Sequence, residues 1–262
     1  MYQKIKFELL DRIALITINN PEQMNTLFPQ TFRELSSAVD EIEVDGNVRA
    51  VIIWGNEKLF GAGDNVTDEE AIKEQTERGH YEHVKYMQKT FSRIEKLKKP
   101  VIAAVAGYCL GGSFELALSC DFIIASENAK FGLPEAKLGV LPCIGGTQRL
   151  PRRIGAARAK ELMFTCDFVS GQEAFQMGIA NHVVPVDNLF NEVMKLARKI
   201  ADKTAPLAVS MIKNSVDEGI QCDMATGLDI EAKNAAFLFE TEDLQEGLAA
   251  FMGKRKPVFK GR

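Results

Sequence analysis

The chain has 262 residues, 46% hydrophobic and 26% charged, with a formal net charge of -4. That length is enough for a substantial core in one large domain or two small ones, and the composition excludes disordered and fibrous classes. The mildly acidic balance gives no electrostatic reason to expect nucleic acid or an anionic membrane as partner.

The N-terminal run "MYQKIKFELLDRIALITI" mixes charged and apolar residues. It lacks the apolar stretch of a signal peptide or membrane span. The residues from 4 to 10 and from 13 to 18 predict two strands joined through Asp11 and Arg12, the second rich in β-branched side chains. After the turn-rich "NNPEQMN", residues 29–42 place Phe32, Leu35, Val39 and Ile42 on one helical face, and "AVIIW" reads as a buried strand. A second round follows, with Val84, Met87, Phe91, Ile94 and Leu97 on one helical stripe ended by Pro100, then the strand "VIAAV", glycines, a further helix and the strand "DFIIAS". Strand, glycine-containing loop, helix and strand recur, which predicts an α/β fold.

From about residue 156 helical patterns dominate, interrupted by the strand-like "HVVPV". The clearest cover residues 188–203, 206–219 and 224–239, and "SGQE" at 170–173 fits a capping box. Apolar faces on such helices serve an interface as well as a core, so an oligomer is expected. The five cysteines, Cys109, Cys120, Cys143, Cys166 and Cys222, are widely spaced with no C-x-x-C. They read as reduced thiols of a cytoplasmic protein.

Several motifs carry chemistry and an ordinary reading side by side. "GAGDNV" from Gly61 lacks the third glycine of a dinucleotide fingerprint, although its glycines allow backbone N–H groups close to a ligand. "GGSFE" around Ser113 is half of a nucleophile elbow, with Glu115 in place of the closing glycine and His182 the only late histidine. His80 and His83 have helical spacing for two metal ligands but no third nearby, so no metal site is expected. The terminal "KRKPVFKGR" is a solvated basic tail or a phosphate contact for a substrate bound to this or a neighbouring subunit. Glu115 and Glu135 stand out, each set among small or apolar residues between two glycine-rich turns. A carboxyl pair in apolar surroundings can hold one member protonated and serve as acid and base for water addition. Each alone also reads as an ordinary helix residue, and the pair would equally suit a glycosidase.

At these residues the chain resembles the enoyl-CoA hydratase/isomerase, or crotonase, family over essentially its full length. The matching blocks are "ITINNPEQMNTL", "RAVIIWGNEKLFGAGDNV", "KPVIAAVAGYCLGGSFELALSCDFIIASENAKFGLPEAKLGVLPCIGGTQRLPRRIG" and "FMGKRKPVF". The resemblance implies a spiral of repeated ββα units over residues 1–195 that binds acyl-CoA, and a helical region at 196–262 that builds homotrimers or homohexamers and part of the CoA site. It implies an oxyanion hole from the backbone N–H groups of Asp64 and Gly112, and Glu115 and Glu135 as the hydratase acid–base pair. Ala62, Gly111, Leu133, Lys256 and Phe259 would contact the acyl-CoA substrate. No metal or other cofactor is implied. This sequence departs from the pattern at Asp64–Asn65, where a small residue followed by aspartate is usual, and at Leu133, where many hydratases carry glutamine. Both changes bear on the acyl chain. Double-bond isomerisation is the nearest rival activity, thioester hydrolysis another, and a non-catalytic CoA- or RNA-binding role is disfavoured by the acidic balance and the glutamate pair.

Overall fold

The computed structural model describes residues 2–65 and 76–262. Val66, which closes the "GAGDNV" run, lies outside the described residues. The first two strands, β1 (Ile5–Leu10) and β2 (Ile13–Ile18), form the expected hairpin. Helix α1 (Pro29–Val44) then leads to β3 (Ala50–Trp54) and β4 (Leu59–Gly61). Helix α2 (Glu77–Glu95) precedes β5 (Val101–Val105) and β6 (Tyr108–Leu110), and α3 (Gly112–Leu118) precedes β7 (Phe122–Ser126) and β8 (Lys130–Gly132).

The strands fall into two sheets that alternate along the chain. One has six strands in the order β1-β2-β3-β5-β7-β10, parallel from β2 onward, and ends on β10 (His182–Val184). The other has four in the order β4-β6-β8-β9, closed by the antiparallel β9 (Val169–Ser170). Each turn of chain therefore lays one strand on the large sheet and the next on the small one before a helix returns it. This is the spiral of ββα units.

The central strands of the large sheet are buried on both faces, which is why "AVIIW" and "VIAAV" are continuous apolar runs. Val51, Ile53, Val101, Ala103 and Val105 face the main core with α1 and α2, where Phe32 and Phe91 pack with ring centroids 5.4 Å apart. The alternate residues Ile52, Ile102, Ala104 and Ile124 meet Leu189, Val193, Ala197 and Ala201.

Between β8 and β10 run α4 (Gly146–Ile154), α5 (Ala156–Thr165) and α6 (Gly171–Met177). The capping box at the start of α6 is present: the Glu173 N–H donates to Ser170 Oγ at 3.2 Å, and Glu173 Oε2 accepts from the Ser170 N–H at 2.7 Å. Helix α7 (Leu189–Lys203) covers the large sheet, and α8 (Pro206–Gly219), α9 (Met224–Phe239) and α10 (Glu242–Met252) follow. Ile212 and Val216 on α8, Ile220 in the turn after it, and Leu228 and Phe239 on α9 stay exposed.

Candidate active site

Three consecutive parallel strands of the small sheet, β4, β6 and β8, end side by side, with Gly61 opposite Cys109 and Leu110 opposite Gly132. The segment that leaves each strand carries candidate residues: Ala62–Asp64 after β4, Gly111–Gly112 after β6, Leu133–Glu135 after β8. Parallel register thus gathers groups remote in sequence at the carboxyl ends of neighbouring strands, the usual ligand position in parallel sheets.

The Asp64 backbone is aimed by a bridge to Leu27. Leu27 donates its N–H to Gly63 O at 2.8 Å, and its carbonyl accepts from the Asn65 N–H at 2.9 Å. In a parallel bridge those partners face Leu27, so the N–H of the residue between them faces the opposite way. The segment carrying Leu27 is tied down by Asn25, whose Nδ2 donates to Phe60 O at 3.3 Å. Gly63 has φ +101°, a conformation that favours glycine, and its N–H donates to Ser113 Oγ at 3.1 Å on α3. That bond joins the Asp64 turn to α3 at Ser113, the residue after Gly112, which opens the helix. A Cβ on Gly63 would fall 3.5 Å from the Gly112 nitrogen. Among the described residues, neither the Asp64 nor the Gly112 N–H has an acceptor within the chain. Two adjacent free donors, one at a helix N-terminus, favour negative charge on a bound oxygen.

Glu115 lies one turn along α3 and is only 1% exposed. Its Oε1 accepts from the Ile144 N–H at 2.7 Å and the Gly146 N–H at 2.6 Å. Glycine 145, with φ +123°, makes the turn that presents both donors. Burial pushes the Glu115 carboxyl up to about 8, against the pull of the Gly146 N–H and with Asp64 and Glu135 adding to the rise. Glu135 sits in the first turn of a 3-10 helix (Pro134–Leu138). Burial raises its carboxyl as well, and Oε2 is buried with no partner among the described residues. Its Oε1 comes within 3.2 Å of where a Cβ on Gly111 would stand. Glu135 thus lies against Gly111 and Glu115 against Gly146, both biased toward the protonated form.

One consequence concerns stability. Glu115 ordinarily titrates near 4.5 and in the folded protein near 8. Between these values the folded state keeps a proton that the unfolded chain has released, so this group's contribution to stability declines as pH rises through that window. Glu115→Gln retains an oxygen for both N–H bonds and removes the penalty. Its urea midpoint is expected to match wild type near about pH 4.5 and to exceed it increasingly toward about pH 8.5. A constant difference across that range would show that the carboxyl is not held protonated by the fold.

The sequence matches the family described as Enoyl-CoA hydratase/isomerase over residues 8–262. It is 42% identical to a crotonyl-CoA hydratase of Syntrophomonas wolfei, with 98% of each chain covered.

The chain belongs to the enoyl-CoA hydratase/isomerase family.

A second relative, a short-chain-enoyl-CoA hydratase of Clostridium acetobutylicum, is 43% identical over 94% of this chain and 93% of its own. Among solved structures, an enoyl-CoA hydratase from Bacillus anthracis superposes with a TM-score of 0.93 at 39% identity, covering 99% of this chain and 100% of that one. The crotonase fold of the family is thus the fold described above.

Within that fold the remaining candidates separate. Gly111, with φ +52°, donates its N–H to Gly132 O at 2.9 Å and extends the β6–β8 ladder into the site. Leu133 is fully buried beside it, and Ala62 donates its N–H to Met24 O at 3.0 Å. Lys256 and Phe259 lie elsewhere in this chain, on a tail tied to α10 and α1's neighbouring turn: Val258 and Lys260 donate backbone N–H groups to Glu246 and Asp243, and Phe259 O accepts from Arg49 at 2.6 Å. Ser113 is spent on the Gly63 N–H, and His182 lies in the edge strand β10 with no bond to it, so the nucleophile-elbow reading fails. His80 is exposed near the start of α2, and no group of three His, Cys, Asp or Glu among the described residues is arranged to hold a metal ion. The groups that sequence reasoning missed are backbone ones: Leu27, which aims Asp64, and Ile144 and Gly146, which hold Glu115. Only the glycine pair at 145–146 marked the second of these.

Proposed function

We propose that this enoyl-CoA hydratase adds water across the 2,3 double bond of short-chain 2-enoyl-CoA thioesters, with Glu115 and Glu135 as its acid–base pair. The observation that carries the reading is the meeting of two N–H donors without an acceptor among the described residues, on Asp64 and Gly112, with the buried Glu115 and the half-buried Glu135, both of raised proton affinity.

The thioester oxygen accepts from both N–H groups, which draws electrons from the double bond and leaves C3 electrophilic. One glutamate, ionised, takes a proton from water as its oxygen bonds to C3. The π electrons move onto the thioester oxygen, and the other glutamate, protonated, delivers its proton to C2. The two carboxyls have then exchanged roles, and proton transfer between them or with solvent restores the start. Because the groups are coupled, the proton belongs to the pair. No group beyond the chain, the thioester and water is required by this sequence. An isomerase would need a proton carried from C4 to C2 and no water-holding partner, so the glutamate pair favours hydration.

In this reading Ala62, Gly111 and Leu133 line the acyl-CoA site. Lys256 and Phe259 reach the CoA portion bound to a neighbouring subunit, which assigns residues 196–262 to assembly of a homotrimer or homohexamer. The exposed Ile212, Val216 and Leu228 supply apolar surface for it. No described helix is long and apolar enough to cross a membrane, and the five cysteines are free, in keeping with a cytoplasmic site of action. Loss of the conjugated thioester absorbance, followed on enoyl-CoAs of increasing chain length, tests the substrate class. The highest kcat/KM is expected for the four- to six-carbon thioesters, and a maximum at long chains would overturn the short-chain assignment.

A further inference from the structure

Asp64 gives the site its N–H, and its side chain enters the same space. A Cβ on Gly112 would fall 2.5 Å from Asp64 Oδ1 and 2.9 Å from Oδ2, so the carboxyl lies over the Cα of the other oxyanion residue. Oδ1 is shut off from solvent and has no hydrogen-bond partner among the described residues. No metal-binding arrangement among the described residues accounts for it. A buried carboxyl oxygen without a partner is unfavourable, and a pocket for a plain alkyl chain has no use for one. Resting on the hydratase reading above, we propose that Asp64 is a specificity-determining residue whose carboxyl receives a hydroxyl carried on the first few carbons of the acyl group.

The position of the hydroxyl follows from Asp64 serving twice. The thioester oxygen lies about 2.9 Å from its N–H, and the carboxyl is separated from that backbone by one methylene. Only a substituent close to the thioester can meet both. The kind of substituent follows from the surroundings. Glu115 and Glu135 face Asp64, and the Cys143 thiol, pushed up to about 12 chiefly by burial, adds no positive charge. A second carboxylate on the acyl group is therefore repelled. Burial and then Glu135 push the Asp64 carboxyl up to about 7, so both its forms are populated at neutral pH. A hydroxyl can donate to the carboxylate and accept from the acid, whereas a carbonyl can only accept from the acid and an ammonium has no lone pair to accept the acid's O–H.

The test compares kcat/KM for crotonyl-CoA and 4-hydroxycrotonyl-CoA in wild type, Asp64→Ala and Asp64→Asn, all of which keep the backbone N–H. Wild type is expected to favour the hydroxylated thioester by ~10-fold or more. Asp64→Ala is expected to lose that preference and to gain on crotonyl-CoA, while Asp64→Asn, which still bonds a hydroxyl, keeps it. A wild-type preference for crotonyl-CoA, or the same ratio in Asp64→Ala, overturns the proposal and leaves the hydratase reading intact. A loss on both substrates in both variants also overturns it, since Asp64 would then handle the water or the proton. Failure of wild type to hydrate either thioester removes the hydratase reading and this proposal together.

Discussion

Glu115→Gln and Glu135→Gln each lower kcat by ~10²–10⁴-fold while leaving the fold and CoA binding in place. The expectation rests on what each substitution keeps. An amide oxygen at residue 115 still accepts from the Ile144 and Gly146 N–H groups, so α3 and the turn at 144–146 keep their spacing. At residue 135 the amide fills the same volume, with one oxygen position beside Gly111 and the other, Oε2, without a partner among the described residues. What is lost in each case is a group able to give or take a proton at the site. Because the two act on one water and one double bond, the double variant is expected to fall little below the worse single one. Stopped-flow kinetics with crotonyl-CoA, alongside equilibrium binding of CoA, measure both quantities. Near wild-type turnover in either variant would assign that carboxyl to structure alone.

Gly63→Ala is expected to lower kcat by ~10²–10³-fold, the loss of one oxyanion donor. Gly63 holds φ +101°, and a Cβ there would stand 3.1 Å from Leu110 O and 3.5 Å from the Gly112 nitrogen. The approach to Leu110 O is the tight one, and as a backbone atom it gives way only if the turn itself moves, while the Gly112 nitrogen lies at ordinary contact distance. Turning the Gly63–Asp64 peptide carries the Asp64 N–H out of line with Gly112. The same strain costs about 1–3 kcal/mol of stability, readable as a lower urea midpoint. Since the donors act on charge that develops during reaction, kcat falls further than KM rises. An unchanged kcat would mean that the thioester oxygen is held elsewhere.

How far the sequence could be read depended on whether a signal was local. "AVIIW", "VIAAV" and the helix at 206–219 were visible because apolar runs and 3.6-residue stripes follow from side-chain periodicity within one element. The capping box at Ser170 was visible for the same reason. The small sheet was not, because β4, β6 and β8 have three residues each and no period can be counted over so few. Yet that sheet brings Asp64, Gly112 and Glu135 together, so the candidate residues could be named from motifs while their assembly could not be derived. The missed positions at Leu27, Ile144 and Gly146 act through backbone groups that every non-proline residue carries, and no side-chain pattern distinguishes them. Asp64 shows the opposite case: its departure from the family pattern was plain in "GAGDNV", but only the structure places its carboxyl against Gly112.

The central claim is that this site puts the elements of water on C2 and C3 of an enoyl thioester. It is tested by turning over crotonyl-CoA in ¹⁸O-enriched heavy water and determining by mass spectrometry where the label resides. Hydration predicts a product heavier by one water, with ¹⁸O on C3 and one deuterium on C2. Deuterium entering the acyl chain with no ¹⁸O incorporated, or free CoA released with ¹⁸O in the carboxylate, would contradict the account in favour of isomerisation or thioester hydrolysis.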